Sequence, residues 1–185
     1  MKTYFLKTLT LSFGLLVSLS QVSCQNKENK SSDNSMSVSQ EKMESPQETA
    51  MNSKFPEAKS DAEWKEILND SQYKVMVKKG TETPFKNEYN DNHQKGTYVS
   101  AATGEPLFRS EDKFESGTGW PSFTKPINDD AVVWVKDNSL GMSRDEIVEK
   151  STGLHLGHVF NDGPEPTGLR YCMNSAALKF VKDKE

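Results

Sequence analysis

Ten of the eleven glycines punctuate the chain between positions 80 and 168, at 80, 96, 104, 117, 119, 141, 153, 157, 163 and 168. Between them lie short apolar segments: Thr97-Tyr98-Val99, Leu107-Phe108, Ala131 to Val135, Leu156 to Phe160 and Ala176 to Val181. Their length and their β-branched and aromatic content suit strands bounded by turns, not helices. The spacing therefore predicts a mainly β fold of antiparallel strands, with short helices confined to its N-terminal part. There Ser60-Asp61-Ala62-Glu63 has the capping-box pattern and opens a helix from Asp61 to Asn69. Its apolar positions Trp64, Ile67 and Leu68 follow i, i+3, i+4 spacing, and Val75 to Val77 continue a second short helix. Residues 54–185 suffice for one modest core.

Hydrophobic residues are only 34% of the 185, and the dilution lies ahead of this domain. Residues 1–23 contain no acid, and Lys2 and Lys7 precede an apolar run from Leu9 to Leu19. Eleven residues are too few to cross a bilayer, which takes about 20 in a helix, and they fit the apolar region of a secretory leader. Leu19-Ser20-Gln21-Val22-Ser23-Cys24 is similar to the cleavage box of bacterial lipoproteins, with Gln21 departing from the usual aliphatic residue. This implies lipidation at Cys24 and a protein anchored in a bacterial envelope, on the periplasmic or outer-membrane face, without a spanning helix. The alternative is ordinary secretion, with Cys24 removed or idle. Residues 25–53 are rich in Ser, Asn, Lys and Glu, lack aromatic residues and apolar periodicity, and read as a disordered tether. The net charge is −4, or 21 − 27 = −6 without the leader's two lysines, which argues against a nucleic-acid partner. Nothing points to an obligate dimer, so a monomer is expected.

All three histidines lie in the folded part: His93, His155 and His158. His155-Leu156-Gly157-His158 has i, i+3 spacing, which places the pair on opposite faces of a regular strand. A bulge or turn at Gly157 brings both to one site, as a polar contact pair or a metal site. No cysteine lies nearby to complete a metal site. Cys172 follows Arg170 by two residues, so on a strand the two share a face, and the cation favours thiolate. The alternative is a buried, inert cysteine. His93, in a charged and Asn-rich setting, reads as a solvated loop residue.

Gly117-Thr118-Gly119-Trp120-Pro121-Ser122-Phe123, His155 to Gly163, and Gly168-Leu169-Arg170-Tyr171-Cys172-Met173-Asn174-Ser175 resemble the signature blocks of the methionine-R-sulfoxide reductase (MsrB) family. Gly80 to Phe85 and Pro106-Leu107-Phe108 match as well, so the resemblance spans about residues 60–181. It implies two antiparallel sheets with short N-terminal helices. It also implies an oxidoreductase that reduces the R epimer of methionine sulfoxide in oxidised proteins. By resemblance, Cys172 is the nucleophile, with Arg170, His155, His158, Asp162 and Asn174 around it. Trp120 packs on the substrate methyl, an apolar group that an indole face distinguishes from the oxygen. Phe160 lines the pocket or packs in the core. An idle relative and a general thiol peroxidase are the rival readings. The Gly-Cys-Phe-Trp signature of S-epimer enzymes is absent.

Two departures from the family matter. Where many relatives carry two CxxC pairs that bind structural zinc, this chain has Ser100, Thr103, Glu149 and Thr152. No cofactor or metal is therefore expected. Where many relatives carry a resolving cysteine, this chain has Thr118. The expectation is a single-cysteine enzyme whose Cys172 sulfenic acid is reduced by an external thiol, such as a thioredoxin-like protein.

Overall fold

The computed structural model describes residues 54–141 and 143–184. The leader, Cys24 and the tether expected over residues 24–53 lie outside the described residues. Ser60 caps the first helix, α1 (Asp61–Ile67), as its sequence predicts. The Glu63 carboxylate accepts the Ser60 N–H at 2.9 Å, and the Ser60 hydroxyl accepts the Glu63 N–H at 3.4 Å. The helix stops two residues before Asn69. Asn69 forms a second capping box with Gln72, at 2.9 and 3.1 Å, and so starts a new helix instead of extending the old one. This helix, α2 (Asp70–Gln72), widens into a π-helical turn, Tyr73–Val77. Trp64, Leu68, Val75 and Met76 are buried, whereas Ile67 is 52% exposed and lies off the expected apolar stripe.

Among the described residues, nine strands follow: β1 (Gly96–Ser100), β2 (Pro106–Arg109), β3 (Lys113–Phe114), β4 (Ser122–Phe123), β5 (Val132–Asp137), β6 (Arg144–Glu149), β7 (His155–Phe160), β8 (Arg170–Met173) and β9 (Leu178–Lys182). They form a three-stranded sheet, β2-β1-β9, and a six-stranded sheet, β3-β4-β8-β7-β6-β5. Every pairing is antiparallel. The fold is thus the expected one, although β3 and β4 are only two residues long and β6 and β8 open on arginines, so the apolar segments of the sequence do not mark them.

Aromatic rings join the two sheets. Tyr98 of β1 and Phe108 of β2 meet Phe123 of β4 and Tyr171 of β8. Phe108 stacks on Phe123 at 4.5 Å, and Tyr98 meets Phe123 edge-on at 5.0 Å. Tyr98, Phe108 and Phe123 are fully buried. This core occupies one face of the large sheet and leaves the other for polar groups. At Gly157 the backbones of β7 and β8 come so close that an added Cβ would overlap the Cys172 carbonyl.

Candidate active site

Strand register assembles the site. On β8, Cys172 lies opposite His158 of β7 on one side and Ser122 of β4 on the other. Glu146 of β6 lies opposite His158. Directly opposed side chains share a face with Cβ atoms about 5 Å apart, so Ser122, Cys172, His158 and Glu146 form one row across the sheet. Two residues along, Arg170 pairs with Phe160 to begin a second row. Its guanidinium lies 4.5 Å from the Phe160 ring centroid.

The ladder between β6 and β7 is irregular. Ile147 pairs with Gly157, but Val148 pairs with His155, so β7 holds one extra residue. This bulge moves His155 to the face of His158, and the imidazole centroids stand 5.3 Å apart.

A cavity of about 150 Å³ opens over the row, lined by Thr81, Trp120, His158, Phe160, Cys172 and Asn174 among others. A larger recess of about 600 Å³ surrounds His93 but contains neither Cys172 nor the His155–His158 pair. Trp120 and Asn174 are held from the same residue. The Trp120 indole N–H donates to the Glu82 carbonyl at 3.1 Å, and the Glu82 N–H donates to Asn174 Oδ1 at 3.1 Å. The Asn174 amide also donates to the Leu156 carbonyl at 3.1 Å. The Glu82 carboxylate accepts the N–H groups of Ser175 and Ala176 at 2.5 and 3.0 Å, fixing the turn after β8.

Burial pushes the Cys172 thiol up. The Arg170 charge is the main opposing influence, and the Thr118 and Ser122 hydroxyls also favour thiolate. Arg170 is itself fixed by a two-pronged ion pair with Asp162, both contacts at 2.9 Å. Burial lowers the His158 pKa, opposed by Asp137, whose carboxylate lies 2.9 Å from His158 Nε2. Hydrogen bonds from Ser139 and then from His158 hold Asp137 well below the usual carboxylate range. Arg144 binds the same carboxylate at 2.7 Å and lines the cavity. A carboxylate only accepts, so a neutral His158 carries its proton on Nε2 and keeps Nδ1 free to take one. The arrangement can ionise a thiol, return its proton and hold a small apolar group against an indole.

Cys172, His158, Trp120, Phe160 and Asn174 therefore share the cavity. Phe160 serves the cavity as well as packing under Arg170. His155 stands behind, 1% exposed, with Nδ1 2.8 Å from Glu146 Oε1. Asp162 is mostly exposed and acts on Arg170. His93 is exposed and pairs with Asp91, as its surroundings suggest. Sequence reasoning missed Glu82, Asp137, Arg144 and Glu146. The only local trace is the alternation Arg144-Asp145-Glu146, which on a strand puts Arg144 and Glu146 on one face.

At the positions where many relatives bind zinc, Glu149 is fully buried. Its oxygens accept the Thr103 hydroxyl at 2.5 Å and the Thr152 hydroxyl at 2.6 Å, and the Ser100 hydroxyl also bonds to it. One carboxylate and three hydroxyls do not match the thiolate and imidazole donors of a structural zinc site. Among the described residues, no group of three or more His, Cys, Asp or Glu could hold a metal ion.

The SelR domain model matches residues 68–182. The peptide methionine sulfoxide reductase MsrB of Leptospira interrogans is 56% identical over 125 residues, which is 68% of this chain and 95% of that protein. The protein of the same name from Saccharophagus degradans is 51% identical over 125 residues, 68% of this chain and 93% of the relative. The peptide methionine sulfoxide reductase MsrA/MsrB of Vibrio cholerae is 55% identical over 126 residues, 68% of this chain. The chain spans only 33% of that longer relative.

Proposed function

Because the chain belongs to the SelR-domain family together with MsrB-type methionine sulfoxide reductases, we propose that it is a peptide-methionine (R)-S-oxide reductase with Cys172 as nucleophile. The observation that carries this reading is the placement of Cys172 opposite His158 and two residues from Arg170, in a cavity walled by Trp120. The substrate methyl rests on the indole of Trp120. Cys172 gives its proton to His158 and attacks the sulfoxide sulfur as thiolate. The proton passes to the sulfoxide oxygen. The sulfur–oxygen bond breaks, the hydroxyl ends on Cys172 as sulfenic acid, and methionine leaves as thioether. The methionine sulfur gains two electrons and the cysteine sulfur loses two.

Regeneration uses two external thiols. The first attacks the sulfenic sulfur and releases water, leaving a mixed disulfide. The second attacks that disulfide, frees Cys172 and leaves as the oxidised reductant. Thr118 supports this order, because its hydroxyl lies against Cys172 where many relatives have a resolving thiol. Cys172 is the one cysteine among the described residues. The reductant is a thioredoxin-like protein, the enzyme needs no zinc, and Cys24 anchors it in the envelope by lipid, where it repairs oxidised proteins as a monomer.

The deciding assay supplies each epimer of a methionine-sulfoxide peptide with dithiothreitol. Reduction of the R form alone, abolished by Cys172→Ser, is expected; no reduction of either form overturns the reading. One turnover without reductant leaves sulfenic acid at Cys172 by mass spectrometry, and an intramolecular disulfide there refutes the single-cysteine cycle. Incorporation of labelled fatty acid, lost in Cys24→Ser, tests the anchor.

A further inference from the structure

Glu146 is a carboxylate with 2% of its surface exposed, on the same row of the sheet as His158 and Cys172. A buried carboxylate is costly unless its oxygens are matched. Here each oxygen has a cationic or polarisable partner. Oε1 meets His155 Nδ1 at 2.8 Å, and Oε2 accepts from the Lys79 ammonium at 2.8 Å. Lys79 holds a left-handed backbone (φ 54), which non-glycine residues keep where their surroundings enforce it. Two residues on, Thr81 lines the cavity. Burial alone raises the Glu146 pKa, but His155 and Lys79 outweigh it and keep the carboxylate ionised. His155 Nε2 is buried and has no hydrogen-bond partner among the described residues. The charged groups around the pair are Glu146 and Arg144 of β6, Lys79 after the π-helical turn, His158 of β7, Asp137 of β5 and Cys172 of β8.

We propose that Glu146 is a positioning residue for the reductase reaction, which fixes His155 as the Nδ1–H tautomer with its Nε2 lone pair turned away from the carboxylate, behind His158. The ionised carboxylate accepts only, so the proton of a neutral His155 sits on Nδ1. His155 then has an acceptor in the space behind His158 and takes its place in the proton path without touching substrate. Lys79 ties this second layer to the loop that lines the cavity. The inference rests on the reductase reading, and the two fail differently.

The test has two arms. In the unmutated protein labelled with nitrogen-15 histidine, the His155 ring nitrogens should show Nδ1–H near neutral pH. Protonation on Nε2 alone overturns the proposal, even if the enzyme is active. In Glu146→Gln, kcat on the R-sulfoxide peptide should fall by roughly 10- to 100-fold, the range for carboxylates behind metal-bound histidines. KM should change less than kcat. The histidine-dependent limb of the pH–rate profile should move to lower pH, because His158, which lies opposite Glu146 on the row, loses a nearby negative charge. An unchanged pH profile with a folded variant also overturns the proposal. The tautomer arm needs no variant, so it decides the question even if Glu146→Gln does not fold. Absence of reductase activity in the unmutated enzyme counts against the reaction, whereas the tautomer result is read independently.

Discussion

Removing the Glu149 carboxylate should unclip the loops that join β1 to β2 and β6 to β7. In Glu149→Ala, the Thr103, Thr152 and Ser100 hydroxyls lose their common acceptor. Thr103 is part-exposed and can turn to water, but Ser100 and Thr152 are 0% and 5% exposed and cannot. Each orphaned buried hydroxyl costs about 1–3 kcal/mol, so the expected loss is about 2–6 kcal/mol. For a domain of this size that corresponds to a fall in Tm of roughly 8–25 °C. Urea denaturation followed by tryptophan fluorescence measures the loss directly. A combined Ser100→Ala, Thr103→Val, Glu149→Leu, Thr152→Val variant should recover most of it, because deleting all partners leaves nothing unpaired. Burial raises the Glu149 pKa from 4.5, ahead of the hydroxyl bonds that lower it. A raised carboxyl contributes fully below the unfolded value and loses that contribution as pH rises through the folded value. The deficit of Glu149→Gln should therefore be larger at about pH 4 than at about pH 8. A loss in Glu149→Ala below about 1 kcal/mol, the scale of an exposed ion pair, refutes the clip. A fall in wild-type Tm on adding a chelator refutes its independence of metal.

Four other outcomes follow from the geometry. Arg170→Met removes the main influence lowering the Cys172 pKa, so the pH at which iodoacetamide begins to alkylate the thiol should rise. Phe108→Ala opens the stacked aromatic core and should cost about 3–5 kcal/mol in chemical denaturation. Gly157→Ala drives a Cβ into the Cys172 carbonyl and should separate β7 from β8, seen as loss of soluble folded protein. The His158 pKa lies below 6.5, chiefly through burial. Its share of stability is complete above 6.5 and declines as pH falls, so His158→Gln should flatten the acid side of the urea-midpoint profile.

The strands that sequence patterning finds are those with consecutive apolar or β-branched residues, such as Tyr98-Val99, Leu107-Phe108 and Val132-Val133. β4 and β8 also feed the aromatic core, through Phe123 and Tyr171, but span only two and four residues. β6 escaped because it opens Arg144-Asp145-Glu146, and those charges are matched by partners elsewhere in the chain. Glu146 is satisfied by Lys79, 67 residues away, and the Glu82 carboxylate by the N–H groups of Ser175 and Ala176, 93 and 94 residues away. No local period encodes such pairings. α1 ends short of the predicted Asn69 for a different reason: the Asn69 side chain is a better cap than helix interior. The histidine pair was legible because Gly157 signals a bulge within a strand pattern. The charge partners behind the imidazoles were not, since only the fold brings Asp137 and Glu146 to them.

The extra residue in β7 also makes chain length there part of the chemistry. Adding one residue to β6 between Ile147 and Val148 would restore an even ladder with β7 and relieve a backbone irregularity, leaving His155 and His158 at i, i+3 on a regular strand. It would also turn one imidazole toward the aromatic interior. A regular, well-hydrogen-bonded strand would then hold a single histidine at the thiol. Across descendants of this chain, β6 should accept exchanges of side chain opposite the bulge more readily than the gain of a residue there, so the offset between the two strands is inherited as a count.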